Sequence, residues 1–189
     1  MTALLLAGMQ VPAIAQPPAR SIQFFQEEIG VQVFGDSCVL TGTYYFRNQT
    51  ARAATSELLY PFPQRAGLPE PARVEVTDAS TNTGVTIRRG TRCILFSISV
   101  PPWGESAYRV WYVQPTPMKK MEYLLTTGRR WGRPLEHATF SVRMPDSLRL
   151  TSVSIPHDTL WRSPGATNYA SRKRQFFADR ELTITWQRR

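Results

Sequence analysis

Two cysteines and two histidines are all the thiol and imidazole ligands that the 189-residue chain offers to a metal ion. The cysteines cannot build a structural zinc site without further ligands, and no H-x-x-x-H spacing or Asp-rich calcium loop supplies any. A Gly-x-Ser-x-Gly elbow is also missing, so no strained turn presents a serine nucleophile. Apart from the N-terminus, no helix-period run exceeds about ten residues, roughly the usual helix length, which argues against a helical fold. Acidic groups are scarce, 14 against 23 Lys and Arg, for a net charge of +9. The carboxylates Glu27, Glu28, Asp78, Glu122 and Glu136 are scattered and read as solvated strand ends. Neither a cofactor nor a metal is expected.

What the chain does have is punctuation and alternation. Fifteen prolines and eleven glycines mark many turns, and 42% hydrophobic residues suffice for a core. The clearest stretch runs from Cys38 to Pro63. Cys38, Leu40, Gly42, Tyr44 and Phe46 share one parity and Thr41, Thr43 and Arg47 the other, as in a half-buried strand. Asn48-Gln49-Thr50 is a polar turn, and the chain returns through Leu58, Leu59 and Tyr60 as the second arm of a hairpin. Pro61 and Pro63 stop that arm, because proline lacks the N–H a ladder needs.

Further strands are expected over Ile22–Phe34 (one bent strand, or a pair broken near Gly30), Arg73–Asp78, Val85–Ile87, Arg92–Val100 and Tyr108–Val113. Others follow at Tyr123–Thr127, Thr139–Met144, Leu148–Ile155, Tyr169–Phe177 and Leu182–Trp186. Strands at such spacing, with turn chemistry between, predict an all-β antiparallel sandwich of roughly ten strands. Trp111 and Trp186 lie in strands and are assigned to the core.

Residues 1–16 are uncharged and mostly apolar, and Ala13-Ile14-Ala15 before Gln16 has the form of a signal-peptidase site. They read as a signal peptide or short apolar anchor, followed by a linker over 17–21 and a single sandwich domain over 22–189. The protein is therefore expected to be exported, periplasmic or on the outer face of a membrane. In such a compartment Cys38 and Cys93 form a candidate disulfide. Their strand parities differ, however, and without a bulge they remain two thiols.

Tyr44-x-Phe46-x-Asn48, followed by a Glu-bearing strand closing in Tyr60-Pro61-Phe62-Pro63, resembles the start of the vault protein inter-alpha-trypsin domain, an extracellular β-sandwich. Val100-Pro101-Pro102-x-Gly104-Glu105, Tyr108-x-Val110-x-Tyr112 and the closing Phe177-x-x-Asp179-Arg180-x-Leu182-Thr183-Ile184 are similar to an exported bacterial β-sandwich family of unknown function. These are fold motifs: turns, core aromatics and strand ends. The resemblance implies a sandwich and brings no catalytic residue with it.

The basic charge is spread over many strands and loops, so no nucleic-acid partner is expected. An acidic protein surface or an anionic membrane surface remains open. The sharpest basic segment is Arg129-Arg130-Trp131 with Arg133. Its tryptophan either anchors in a partner's pocket between flanking arginines or folds back onto the core. Trp103 and Trp161 also fall in loops, as possible contacts for a partner or a sugar ring. The histidines are His137 and His157; His157-Asp158 with Ser154 or Ser163 would make a poor hydrolase triad, better read as a surface turn. Asn48-Gln49-Thr50 matches a glycosylation acceptor by pattern alone. The reading is a non-enzymatic exported interaction module, an accessory or structural subunit binding other proteins at the outer face of a membrane complex. The alternatives are an envelope carbohydrate-binding module and, more weakly, a hydrolase.

Overall fold

The computed structural model describes residues 21–189, so the expected signal or anchor over 1–16 and nearly all of the 17–21 linker lie outside the described residues. In chain order the strands are β1 (Ile22–Val33), β2 (Ser37–Asn48), β3 (Ala54–Pro61), β4 (Arg73–Asp78), β5 (Thr83–Gly84), β6 (Arg88–Gly90) and β7 (Cys93–Val100). They continue with β8 (Glu105–Pro115), β9 (Lys120–Tyr123), β10 (Leu135–Pro145), β11 (Leu148–Val153), β12 (Thr159–Ser163), β13 (Ala166–Phe176) and β14 (Leu182–Arg188). A 3₁₀ helix, Thr126–Trp131, separates β9 from β10.

An eight-stranded sheet runs β12-β13-β10-β1-β2-β8-β4-β5, and two three-stranded sheets run β3-β7-β6 and β11-β14-β9. The fold is all-β, as the alternation predicts. It has fourteen strands among the described residues rather than ten, because β5, β6 and β12 are short pieces beside turns. Nor is it wholly antiparallel. β1 and β10 pair in parallel from Gln26↔His137 to Gln32↔Arg143. A parallel neighbour needs a long connection, and more than ninety residues of chain intervene here.

β2 lies inside the large sheet, paired with β1 from Val33↔Cys38 to Ile22↔Asn48 and with β8 from Ser37↔Pro115 to Arg47↔Glu105. Cys38, Leu40, Gly42, Tyr44 and Phe46 are all buried, the face read from the sequence, and Asn48, read as part of a turn, continues it. The two small sheets cover that face. Ile94, Phe96, Ile98 and Val100 of β7, and Leu182, Ile184 and Trp186 of β14, join one core cluster with the inward residues of β1, β2, β8 and β10.

The expected hairpin between β2 and β3 does not form, since β3 pairs with β7 in a different sheet. Asn48 explains the departure. Its side-chain amide donates to the carbonyls of Arg52 (2.7 Å), Val100 (3.2 Å) and Pro101 (3.1 Å). Its Oδ1 accepts from the backbone N–H of Thr50 (3.0 Å) and from Thr50 Oγ1 (2.8 Å). An Asx turn thus lifts the chain from one layer to the next. Asn48 is 1% exposed, so it is a corner post and not a glycan acceptor. Leaving such a buried amide's partners unsatisfied costs about 1–3 kcal/mol for each group.

Other expectations shift as well. β1 is continuous through Gly30, and its irregularity falls between Phe24 and Gln26. Phe24 joins the core, Phe25 is buried on the opposite face of the sheet against Tyr45 and Arg47, and from Glu27 onward the odd-numbered residues point inward. Val85–Ile87 is a loop between β5 and β6, and the expected strand at Tyr123–Thr127 divides into the end of β9 and the 3₁₀ helix. Trp186 is in the core, with its Nε1 donating to the Gly35 carbonyl at 3.1 Å. Trp111 is not: it takes the opposite parity from buried Val110 and Tyr112, and Arg73 lies 5.3 Å over its ring.

Cys38 and Cys93 are free thiols rather than the candidate disulfide. Cys38 is buried in the large sheet opposite Val33 and Gln114, whereas Cys93 opens β7 in another sheet opposite Pro61 and Gly90. Burial pushes the Cys38 thiol up to about 12, which removes its thiolate character at neutral pH.

Candidate functional site

One tyrosine from each of the three sheets meets at the centre of the molecule. Tyr44 projects from β2, Tyr60 from β3 and Tyr123 from β9. The Tyr44 hydroxyl is 3.0 Å from that of Tyr60 and 3.0 Å from that of Tyr123. The Tyr123 hydroxyl donates onward to Glu27 Oε2 at 3.4 Å. This chain of hydroxyls forms the floor of a cavity of about 520 Å³.

The walls are apolar. Phe24, Phe46, Leu58, Phe96, Leu125 and Leu135 surround the floor, and Trp131 closes one side. The Trp131 ring packs 5.8 Å from Phe24 and 5.5 Å from Phe46, centroid to centroid. Of the two alternatives for Arg129-Arg130-Trp131, the tryptophan therefore folds back onto the core. Arg129, Arg130 and Arg133 line the cavity mouth and are exposed.

The 3₁₀ helix holds this mouth in shape. Its first residue, Thr126, donates its backbone N–H (3.0 Å) and its hydroxyl to the Glu181 carboxylate. Gly132 ends it in the left-handed region at φ 71°, where glycine carries no Cβ penalty. The turn carries the two arginines outward and the indole inward.

Glu27 was read as a solvated strand end, yet it is 4% exposed. Among the described residues it forms no ion pair. Burial pushes its carboxyl up to about 8, against a smaller lowering by the Tyr123 hydroxyl, so Glu27 is predominantly protonated at neutral pH. Burial likewise holds the phenols of Tyr44, Tyr60 and Tyr123 well above their ordinary value. The floor is thus polar but uncharged. Glu122, also read as solvated, is equally buried at 4% but is met by Arg65 at 2.7 Å.

Glu27 had a signal in the sequence. It shares its parity with Ile29, Val31 and Val33, three residues that can only face a core. Tyr60 and Tyr123 carried no comparable signal, because their meeting with Tyr44 depends on how three sheets stack.

The remaining candidates are not brought to the cavity. Trp103 sits in the turn between β7 and β8 and is 71% exposed. Trp161 lies on β12, an outer strand of the large sheet, five strand positions from β8. The imagined triad does not assemble. Asp158 accepts from Arg172 N (2.8 Å), Lys173 Nζ (3.0 Å) and Ser171 Oγ (3.3 Å), all on β13. His157 packs edge-on against Tyr169, 5.1 Å between centroids. Ser154 Oγ donates to the Glu181 carbonyl at 2.7 Å, and Ser163 Oγ accepts from Asn168 at 2.9 Å.

No protein-family model matches this sequence, and no curated protein does. Solved structures share the fold. One is a Legionella pneumophila protein described as a "putative nutrient binding protein", with 17% identity and a TM-score of 0.72 over 91% of this chain and 68% of that one. Another is an M1 zinc metallopeptidase from Deinococcus radiodurans, with 13% identity and a TM-score of 0.51 over 89% of this chain. A mutant of the same enzyme gives 14% identity and a TM-score of 0.55 over 93% of this chain. The chain spans only 43–44% of the metallopeptidase's length. At these identities the likeness establishes the all-β fold.

Proposed function

We propose that the chain is a non-enzymatic exported binding domain, and that its ligand site is the cavity between the three sheets. One observation carries this reading: about 520 Å³ of space walled by aromatic and aliphatic side chains over a floor of uncharged hydroxyl groups. The volume lies within the roughly 300–1,000 Å³ of small-molecule sites, and a few polar groups among apolar walls are their usual make-up. The expected occupant is a small, mostly apolar molecule. The test is titration with an uncharged apolar fluorophore, N-phenyl-1-naphthylamine. Saturable one-to-one binding, weakened at least tenfold by Leu58→Trp, which fills the space, is the expected result. Partitioning without saturation, or binding indifferent to that substitution, would remove the cavity from consideration.

A second, compatible reading is that of an accessory subunit docked on other proteins at the outer face of a membrane complex. Trp103 favours it. Its backbone is held at φ 52° and its N–H donates to the Thr50 carbonyl at 3.0 Å, so a fully presented indole stands on a fixed turn. Rigid exposed tryptophan is a common interface anchor. Extraction from the source membrane in mild detergent, with the native mass read directly, should yield a particle much larger than this chain, from which Trp103→Ala releases it. A chain recovered alone at its own mass would count against docking.

A further inference from the structure

We propose that the cavity takes an anionic amphiphile, held with its apolar body between Phe24, Phe46, Leu58, Leu125 and Trp131 and its carboxylate or phosphate at Arg129, Arg130 and Arg133. This inference rests on the cavity being the ligand site. The asymmetry of the cavity supplies the argument. Among the described residues, none of the three mouth guanidinium groups forms a salt bridge. The Glu57 carboxylate at the same mouth is engaged by Arg88. Arg129 is laid 4.9 Å over the Phe177 ring, which orients it. Phe177 itself is 44% exposed beside it, extending the apolar surface outward.

The inner end carries no cation, and its Glu27 is held uncharged by burial. An anion driven to the floor would lose its hydration with no counter-charge in return, so the charged end must stay outside. At the mouth, each guanidinium offers a planar fork of donors that matches carboxylate and phosphate oxygens. Four hydroxyl groups on the floor, including that of protonated Glu27, share three hydrogen bonds. Those three bonds occupy the three tyrosine hydroxyl protons, so an apolar chain end can abut the tyrosine row.

The test compares laurate, dodecyl phosphate and 1-dodecanol, each below its aggregation threshold, by calorimetric titration at low salt. Both anions should bind at least tenfold more tightly than the alcohol of equal length. The combined substitution Arg129→Gln, Arg130→Gln and Arg133→Gln should erase that advantage while leaving dodecanol unchanged, which also shows that the variant is folded. Co-sedimentation with phosphatidylglycerol vesicles, competed by laurate, would assign the anion to a membrane lipid; laurate binding without co-sedimentation would assign it to a free fatty acid. Equal affinity for laurate and dodecanol, or an advantage that survives the triple substitution, would overturn the head-group assignment and leave the cavity reading standing. If none of the three binds and N-phenyl-1-naphthylamine also fails to saturate, both readings fall together.

Discussion

Raising the pH from about 5 to about 9 should destabilise this protein, and Glu27→Gln should abolish most of the loss. The carboxyl of Glu27 is pushed from an ordinary value near 4.5 up to about 8 by burial. Between those values the folded protein binds one proton more than the unfolded chain, so stability falls as pH rises. The contribution is whole below about 4.5 and gone above about 8. At about 1.4 kcal/mol for each unit of pH, that window is worth on the order of 4 kcal/mol. Glutamine keeps an oxygen for the Tyr123 hydroxyl and has no charge to bury. The variant should therefore match the wild type within about 1 kcal/mol at pH 5 and exceed it by several at pH 9. Urea unfolding at the two pH values measures both. Parallel pH profiles for the two proteins would mean that Glu27 ionises in the folded state at an ordinary pH, and the uncharged floor would go with it.

Gly42→Ala should be nearly as damaging, although alanine is the better residue for an exposed strand. Replacing glycine inside an element ordinarily gains roughly 0.5–1 kcal/mol from backbone entropy. Here Tyr44 folds back along its own strand, and a methyl on Gly42 would stand 2.6 Å from its Cζ. The ring must leave, taking with it the 3.0 Å bonds to Tyr60 and Tyr123. Overpacking costs about 1–3 kcal/mol and each lost hydrogen bond about 1, so the clash wins by on the order of 3 kcal/mol. Coupling makes the claim specific: in a Tyr44→Leu background the same glycine change should cost under about 1 kcal/mol. An equal cost in both backgrounds would show that Gly42 is required for something other than the tyrosine.

These two substitutions mark the boundary between what was legible in the chain and what was not. Alternation in β2 and β4 announced strands at nearly their final limits, because a half-buried strand must repeat with period two. Pairing is a different matter. Asn48 looked like a hairpin turn, and only the carbonyls of Val100 and Pro101, some fifty residues on, make it a corner between sheets. The disulfide expectation failed for the same kind of reason: spacing and compartment say nothing about which layer a cysteine joins. Trp111 was assigned to the core because it is apolar and in a strand, but its parity, opposite to that of buried Val110 and Tyr112, places it outside.

The candidate site divides likewise. Arg129, Arg130, Trp131 and Arg133 stood out by composition and do line the cavity mouth. Glu27 could have been found by its parity with Ile29, Val31 and Val33, provided the bulge at Phe25 is respected. By itself, the sequence determined the all-β class, the inward face of its central strands and the cluster of charge at Arg129–Arg133, since each of these follows from neighbours close along the chain. Only the tertiary structure decided that Tyr44, Tyr60 and Tyr123 share hydrogen bonds over an unpaired Glu27. Those contacts join residues 16 to 96 positions apart, and burial, which keeps the carboxyl protonated, is a property of the stacked sheets rather than of any one strand.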